Sequence, residues 1–211
     1  MTLLEVCIDS AEGLAAALDQ GAGRLEVCSR LDLGGLTPTV ELLDLSLVEA
    51  GKFGVPVHAM VRSRANTRFL PDAAELNELR TDLMRVKAQG ATGAVFGLLT
   101  ADGCVDRERT RDLVYRARPM AVTYHRAFDR VADPLAELEV LIELGIERVL
   151  TSGGAASGPE GLEVLKALVH RARGRIVVLP GGGVRAHNAE LILERTGANE
   201  LHGSQPFRLP R

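Results

Sequence analysis

The sequence lacks the features that mark several common protein classes. Its three cysteines are an odd number and form no CxxC pair, which excludes a disulfide framework as the basis of the fold. No run approaches the roughly 18 apolar residues of a membrane span, and no basic segment followed by an apolar block opens the chain. We therefore expect a cytoplasmic protein that has no membrane partner.

Charge and length narrow the classes further. The formal net charge is −3 and the isoelectric point is near 6.0, so the chain has no excess of basic residues for binding nucleic acid. A length of 211 residues suits one domain with a core of its own. We therefore expect residues 1–211 to form a single domain with no nucleic-acid partner.

A duplicated tetrapeptide, LEVC, stands at residues 4–7 and 25–28. Each copy lies in a strand-like run, and the segment between the copies is typical of a helix. Strand, helix and strand predict two neighbouring parallel strands. Because successive side chains of a strand point to opposite faces, each copy carries one carboxylate and one thiol on the same side. These pairs are Glu5 with Cys7 and Glu26 with Cys28.

Strand-like and helical segments alternate along the rest of the chain. The predicted strands are residues 4–9, 24–28, 55–62, 93–97, 121–125, 148–151, 176–179 and 200–202. The predicted helices between them are residues 10–21, 39–50, 72–89, 106–117, 134–144, 160–172 and 188–195. Eight such units predict an α/β fold of the TIM (β/α)8 barrel type. The competing doubly wound sheet usually has a Gly-rich turn after its first strand, which residues 7–10 lack, and we predict no nucleotide cofactor.

The barrel prediction assigns the two faces of each strand. Helices cover the outside, so the apolar side chains point outward and the alternate ones point into the lumen. Lumens are normally packed with valine, isoleucine and leucine. An unpaired buried charge costs several kcal/mol, so polar lumenal groups have to pair, bind an ion or contact a ligand. The predicted inward residues are Glu5, Cys7, Asp9, Glu26, Cys28, His58, Met60, Arg62, Thr123, His125, Glu200 and His202.

One interpretation of this polar lumen is an enzyme that acts on a small anionic substrate. Residues 125–129 leave the fifth strand at its C-terminal end, where barrel enzymes keep their chemistry. We predict His125 as the proton-transfer group, with Glu5 or Glu26 as its partner carboxylate and Arg62 as the clamp for the anion. The predicted catalytic set is Glu5, Glu26, Arg62, His125 and Asp129.

Other residues weigh less in this interpretation. His58 and His202 are explained equally well as structural histidines whose hydrogen bonds are satisfied. The three lysines, Lys52, Lys87 and Lys166, fall in a loop or on predicted helices. Schiff-base chemistry needs a lysine in the lumen, so we exclude it.

Two Gly-rich loops follow late strands. Ser152 and Gly153 follow the sixth strand, and Gly181, Gly182 and Gly183 follow the seventh. Backbone amides at these places commonly hold phosphate in barrels, which predicts a phosphate or anion site. The alternative is that the glycines only permit tight turns at crowded strand ends.

Seven blocks in matching order carry a family resemblance. They are residues 4–10 (LEVCIDS), 24–29 (RLEVCS), 34–38 (GGLTP), 95–106 (VFGLLTADGCVD), 122–129 (VTYHRAFD), 148–154 (RVLTSGG) and 180–184 (PGGGV). Together they resemble the CutC family of copper homeostasis proteins. The resemblance implies a TIM-type barrel, a cytoplasmic location and Cu(I) binding through Cys7 and Cys28.

Copper binding is also reasonable on chemical grounds. Cu(I) is soft and prefers thiolates or a thioether such as that of Met60. Neighbouring strands lie about 4.8 Å apart, so two inward thiols there can span one linearly coordinated ion, unless the barrel stagger places Cys7 and Cys28 in different layers. The alternative is that both cysteines are small buried hydrophobic residues.

The C-terminus departs from the family pattern. The chain ends nine residues after His202, where relatives continue into a further helical stretch. We therefore expect a barrel whose C-terminal helix is missing or shortened, with the outer apolar face of the eighth strand left uncovered. Exposed patches of this kind tend to be buried by a partner, which predicts a homo-oligomer, a dimer or higher.

Overall fold

The protein contains one sheet of eight parallel strands. The fold is seen in a computed structural model that describes residues 2–204 and Phe207. The strands are β1 (Leu3–Ile8), β2 (Arg24–Val27), β3 (Val57–Met60), β4 (Gly93–Phe96), β5 (Ala121–Tyr124), β6 (Arg148–Thr151), β7 (Val177–Pro180) and β8 (Glu200–Gly203). They pair in the order β7-β6-β5-β4-β3-β2-β1-β8. The last strand, β8, pairs with the first strand, β1, so the sheet curls into a nearly closed barrel. This confirms the TIM-barrel prediction over the open sheet.

Seven helices connect the strands in the described part of the chain. They are α1 (Ala11–Asp19), α2 (Val40–Gly51), α3 (Ala73–Gln89), α4 (Arg107–Ala117), α5 (Pro134–Glu143), α6 (Leu162–Ala172) and α7 (Ala186–Thr196). Short 3-10 segments lie at Leu31–Leu33, Arg126–Arg130 and Gly158–Glu160. All seven predicted helices are present. No described helix is both long and apolar enough to cross a membrane.

Side-chain caps begin several of these helices where the sequence places short polar residues. The Ser10 hydroxyl accepts a hydrogen bond from the Gly13 amide at 3.1 Å, and Asp72 accepts one from the Glu75 amide at 2.7 Å. These caps satisfy amide groups that have no partner within the first turn. They therefore determine where each helix begins after its loop.

The outer faces of the strands form the main core with the helices. The predicted outward residues are buried in one apolar cluster: Leu4, Val6, Ile8, Leu25, Val27, Val57, Val61, Val122, Tyr124 and Leu201. Burial of this alternate set explains why the remaining strand side chains point into the lumen.

The expected uncovered face of β8 is not found. No helix follows β8 among the described residues, as expected, and residues 205, 206 and 208–211 lie outside the description. Leu201 is nevertheless fully buried, Leu4 is only 4% exposed, and Phe207 packs against the same cluster. The prediction of an uncovered strand was therefore wrong, since neighbouring side chains close the seam within one chain. The homo-oligomer stays a prediction without that support.

The N-terminal layer of the lumen is an ion-pair network centred on Glu5. The Cα of Glu5 lies opposite Arg24 on one side and His202 on the other. Glu5 accepts hydrogen bonds from Arg24 Nε and from His202 Nδ1, the latter at 2.8 Å. Arg24 also donates to Glu200 at 2.6 Å, and Arg148 donates to Glu200 at 3.3 Å. The buried charges in this layer are therefore paired.

Glu5 titrates far from its ordinary range. Burial alone would raise the pKa of its carboxyl group. The hydrogen bond from His202 and the charge of Arg24 outweigh burial and hold the pKa of Glu5 well below its usual value. The network therefore stabilises the fold only while Glu5 is ionised.

Replacing the central carboxylate tests this network. Glu5→Gln leaves the buried Arg24 with Glu200 as its remaining carboxylate partner, which costs up to about 3 kcal/mol of unfolding free energy at neutral pH. Because the pKa of Glu5 is depressed in the fold, its contribution is present above the unfolded pKa of about 4.3 and is lost as the pH falls through the folded value. The difference between variant and wild type therefore narrows in acid.

The measurement is urea unfolding over a pH series. The control is Asp32→Asn, which removes an exposed ion pair with Arg30 and leaves stability unchanged. Equal stability of Glu5→Gln and wild type at neutral pH would contradict the network.

Candidate functional site

A cavity of about 720 Å³ opens at the C-terminal end of the barrel. Its floor is formed by strand residues that point into the lumen, and its rim by the loops after β2, β3, β5 and β6. Among the residues that line it are Cys7, Glu26, Met60, Arg62, His125 and His202. A cavity therefore lies at the barrel mouth, where the sequence predicts the site.

Two thiols lie together at the floor of this cavity. Cys7 Sγ and Cys28 Sγ are 3.5 Å apart, and both residues are buried. Strand register explains this proximity. Cys7 pairs with Glu26, and the Cys28 amide donates to the Ile8 carbonyl at 2.9 Å, so Cys28 lies two residues beyond the partner of Cys7 and on the same strand face. Met60 packs in the same small cluster. The structure thus places three sulfur-bearing side chains together.

Cys7 also lies near one oxygen and one nitrogen atom that can bind a metal. The Cys7 sulfur, a carboxylate oxygen of Glu26 and a ring nitrogen of His202 all lie within 4.8 Å of one another. Within the described ranges, Glu26 Oε2 is buried and has no hydrogen-bond partner. Burial raises the pKa of the Glu26 carboxyl group. The hydrogen bond to Cys28, burial and the charge of Glu26 raise the pKa of the Cys7 thiol well above its ordinary value.

His125 is a neutral imidazole at the side of the cavity. Its Nδ1 accepts a hydrogen bond from the Ala127 amide at 3.2 Å, and Phe69 packs edge-on at 5.0 Å between ring centroids. Burial, with the nearby charge of Arg62, lowers the pKa of His125 to about 3. Since Nδ1 is the acceptor, Nε2 carries the hydrogen. His125 therefore offers a hydrogen-bond donor at neutral pH, while Glu5, its predicted partner, is bound in the layer below.

Arg62 ties two loops together over the cavity. Its guanidinium donates to the carbonyls of Leu33 at 2.9 Å, Gly35 at 3.0 Å and Asn66 at 3.0 Å. Its Nε is buried without a partner, and no described carboxylate forms an ion pair with it. Burial lowers the pKa of Arg62. Its guanidinium therefore lines the cavity with backbone carbonyls as hydrogen-bond partners, and Glu75 is the carboxylate whose charge acts on it.

Asp129 lies in the 3-10 segment after β5, and its carboxylate contacts the loop after β6. Its carboxylate accepts hydrogen bonds from the Ser152 amide at 2.9 Å, the Gly154 amide at 3.2 Å and Arg126 Nε at 2.7 Å. The Gly153 amide donates to Thr151 Oγ1 at 2.9 Å. The amides predicted at Ser152 and Gly153 to hold an external anion are therefore used by the protein's own groups.

The glycines after β7 have a packing role that the sequence left open. The Gly181 amide donates to the Thr151 carbonyl at 2.9 Å, and Gly182 and Gly183 have φ of +82° and +74°. A Cβ at Gly182 would stand 3.2 Å from the guanidinium of Arg126. These positions thus need glycine for the turn itself and for the close approach of Arg126.

Sequence reasoning missed Arg24 and undervalued His202. The alternation that places Glu26 inward also places Arg24 inward, so the signal was present at residues 24–26. The sequence leaves the role of His202 open, whereas in the structure His202 bonds Glu5 on one side and borders Cys7 and Glu26 on the other. Asp9, also predicted inward, is exposed at the rim, where it accepts a hydrogen bond from the Leu31 amide at 3.3 Å.

The buried Glu26 carboxylate, whose Oε2 has no hydrogen-bond partner among the described residues, predicts a stability gain on its removal. Because the pKa of Glu26 is raised in the fold, ionisation destabilises the metal-free protein as the pH rises through the folded value. Glu26→Gln removes that charge at nearly constant volume, so the variant unfolds at a higher temperature than wild type at neutral pH. The difference disappears below about pH 4, where both folded and unfolded forms of Glu26 are protonated.

Thermal denaturation in the presence of a metal chelator measures this gain. The matched control is Glu200→Gln, which removes a paired carboxylate of the same lumen and lowers the melting temperature. A destabilised Glu26→Gln at neutral pH would show that the carboxylate has a stabilising partner.

Known proteins resemble this chain over nearly its whole length. The model of the CutC family matches residues 2–206. The copper homeostasis protein cutC homologs of Mus musculus and Homo sapiens are 48% and 46% identical over 202 residues, covering 96% of this chain and 73% and 72% of those proteins. A crystal structure of the copper homeostasis protein CutC from Streptococcus agalactiae has a TM-score of 0.92 at 29% identity, covering 97% of this chain and 99% of that one. These matches confirm the resemblance carried by the seven sequence blocks, and the chain belongs to the CutC family.

Proposed function

We propose that this chain binds Cu(I) through Cys7 and Cys28 and so takes part in copper homeostasis in the cytoplasm. The observation that carries the proposal is the 3.5 Å separation of the two buried sulfurs at the floor of an open cavity. The names of the mouse and human relatives agree with a role in copper homeostasis. A cytoplasmic location suits the proposal, because that compartment keeps thiols reduced.

The sulfur geometry needs only a small adjustment to hold an ion. At a metal–sulfur distance of about 2.3 Å, two sulfurs of a trigonal site stand about 4 Å apart. The two thiols of the structure are 3.5 Å apart, so a small rotation of one side chain opens enough room. The geometry therefore favours a bent or trigonal arrangement over a linear one, which needs a wider separation.

Met60 supplies the third soft ligand of a trigonal site. Met60 lies in the same cluster as Cys7 and Cys28. Met60 Cε and Cys28 Sγ lie 3.4 and 3.5 Å from the point that a Cβ on Gly35 would occupy. Thioether and thiolate ligands select Cu(I) over harder ions. A Cβ at Gly35 would fill this point, so the glycine keeps the space beside the sulfurs open.

Cysteine variants test the copper proposal. In an anaerobic titration against a chromogenic Cu(I) chelator, Cys7→Ser combined with Cys28→Ser removes high-affinity binding, because the serine hydroxyls are hard ligands. Met60→Leu keeps the volume and removes the thioether, so it weakens binding by about tenfold, in the range of lost secondary ligation.

Cys104→Ser is the matched control, because Cys104 is an exposed cysteine outside the cavity. It leaves Cu(I) affinity unchanged. Unchanged affinity in the double variant would remove the proposal at these two positions.

A second candidate function concerns the size of the cavity. A volume of about 720 Å³ suits a small organic molecule and is much larger than one ion requires. Arg62, Arg126 and Arg130 line it, and His125 adds a neutral donor. We infer from these groups that the cavity binds a small anionic organic ligand, which is the substrate class expected of a barrel enzyme at this place.

Glycerol 3-phosphate serves as the probe of anion binding. It raises the melting temperature of wild type and of the double cysteine variant, because ligand binding stabilises the folded state. Arg130→Gln reduces the rise, and Arg111→Gln, an exposed substitution on α4, leaves it unchanged. An equal rise in wild type and Arg130→Gln would place the anion outside the cavity.

A further inference from the structure

We propose that Cys7, Glu26 and His202 form a second metal setting at the cavity floor, which takes a divalent borderline ion such as Zn²⁺. It shares only Cys7 with the proposed Cu(I) site. The soft ligands Cys28 and Met60 belong to the Cu(I) setting, whereas the second setting adds one oxygen and one nitrogen ligand. It goes beyond copper binding and does not depend on it.

The distances fit a common ion. One ligand atom from each of Cys7, Glu26 and His202 lies within 4.8 Å of the other two, and all three residues are buried. Zn²⁺ binds sulfur at about 2.3 Å and nitrogen or oxygen at about 2.0–2.2 Å, so pairs of its ligands stand roughly 3–4 Å apart. Side-chain rotations that shorten these separations by up to about 1–2 Å bring the three atoms to that spacing.

The His202 imidazole is already oriented as a metal ligand. Its Nδ1 donates to Glu5 Oε1 at 2.8 Å, and Glu5 is held by Arg24. A histidine that binds a metal almost always donates its other ring hydrogen to a carboxylate or carbonyl, which sets the tautomer and the ring plane. Since Glu5 holds Nδ1, the Nε2 lone pair is the one left for an ion beside Cys7 and Glu26.

Glu26 supplies the independent sign that a cation belongs there. It is 2% exposed, and its Oε2 has no hydrogen-bond partner among the residues that the structure describes. A buried carboxylate oxygen without a partner is costly. Both oxygens of the Glu5 carboxylate, in the layer below, are engaged by Arg24 and His202, whereas Oε2 of Glu26 has no hydrogen-bond partner in the described ranges.

Three protein ligands leave one position of a tetrahedral ion open. All three residues line the 720 Å³ cavity, so this position faces the space where a water or an anionic ligand has access. Zinc sites that act on substrates keep such an open position, whereas structural sites have four protein ligands. The proposed setting is therefore of the open kind.

Separate titrations of Zn²⁺ and Cu(I) test the proposal on the full chain. Both are run anaerobically with a thiol-free reductant, against chromogenic chelators. Glu26→Gln and His202→Gln each lower Zn²⁺ affinity by at least about tenfold and leave Cu(I) affinity within about threefold, because neither is in the soft set. Cys28→Ser has the opposite effect, since it weakens Cu(I) and keeps Zn²⁺. Retained Cu(I) binding shows that each glutamine variant is folded.

Other outcomes overturn the proposal. If Cys28→Ser removes Zn²⁺ binding and Glu26→Gln does not, the ion lies between the two thiols and the second setting does not exist. Failure of the copper proposal alone appears as weak Cu(I) binding in wild type with Zn²⁺ binding intact.

Co²⁺ provides a readout that needs no variant. Loaded wild type shows thiolate-to-cobalt charge transfer together with the visible bands of a four-coordinate ion. A six-coordinate spectrum without charge transfer would exclude Cys7 as a ligand and so contradict the site.

Discussion

The buried carboxylate of Glu5 is the constraint from which the rest of the lumen follows. A barrel interior that contains charged groups is stable only if each charge finds a partner. Glu5 neutralises Arg24 and at the same time orients His202, because the strand register places it between the two. Arg24 and Arg148 are engaged by Glu5 and Glu200, so no described cation hydrogen-bonds Oε2 of Glu26, which lies nearer the cavity.

The lumen is consequently layered along the barrel axis. Paired charges lie towards the N-terminal ends of the strands, Glu26 and the thiols of Cys7 and Cys28 follow, and the open cavity comes last. Glu5 uses Arg24 and the Nδ1 of His202 as its partners, which leaves the Nε2 of His202 and the Oε2 of Glu26 without a hydrogen bond from these groups. At the rim, Arg62 holds the loops after β2 and β3 together, and the neutral His125 offers a hydrogen-bond donor. The floor below them carries the thiols and the Glu26 carboxylate.

Local sequence rules predicted the fold and the faces of its strands, but they could not predict long-range pairing. Alternation placed Glu5 and Cys7 in the lumen because burial of the opposite face leaves no other choice. The stagger between strands, which sets Cys7 opposite Glu26, depends on how the whole barrel closes. For the same reason the sequence could not show that Asp129 fills the loop after β6. Contacts of this kind join residues far apart in the chain, and no local pattern encodes them.

We propose the sulfur pair of Cys7 and Cys28 at the cavity floor as the copper site. Anomalous diffraction from crystals loaded with Cu(I) without oxygen tests it most directly. We expect one strong peak at the copper edge between Cys7 Sγ and Cys28 Sγ, on the side of Met60. A peak at the exposed Cys104 alone, or no ordered peak in the lumen, would contradict it.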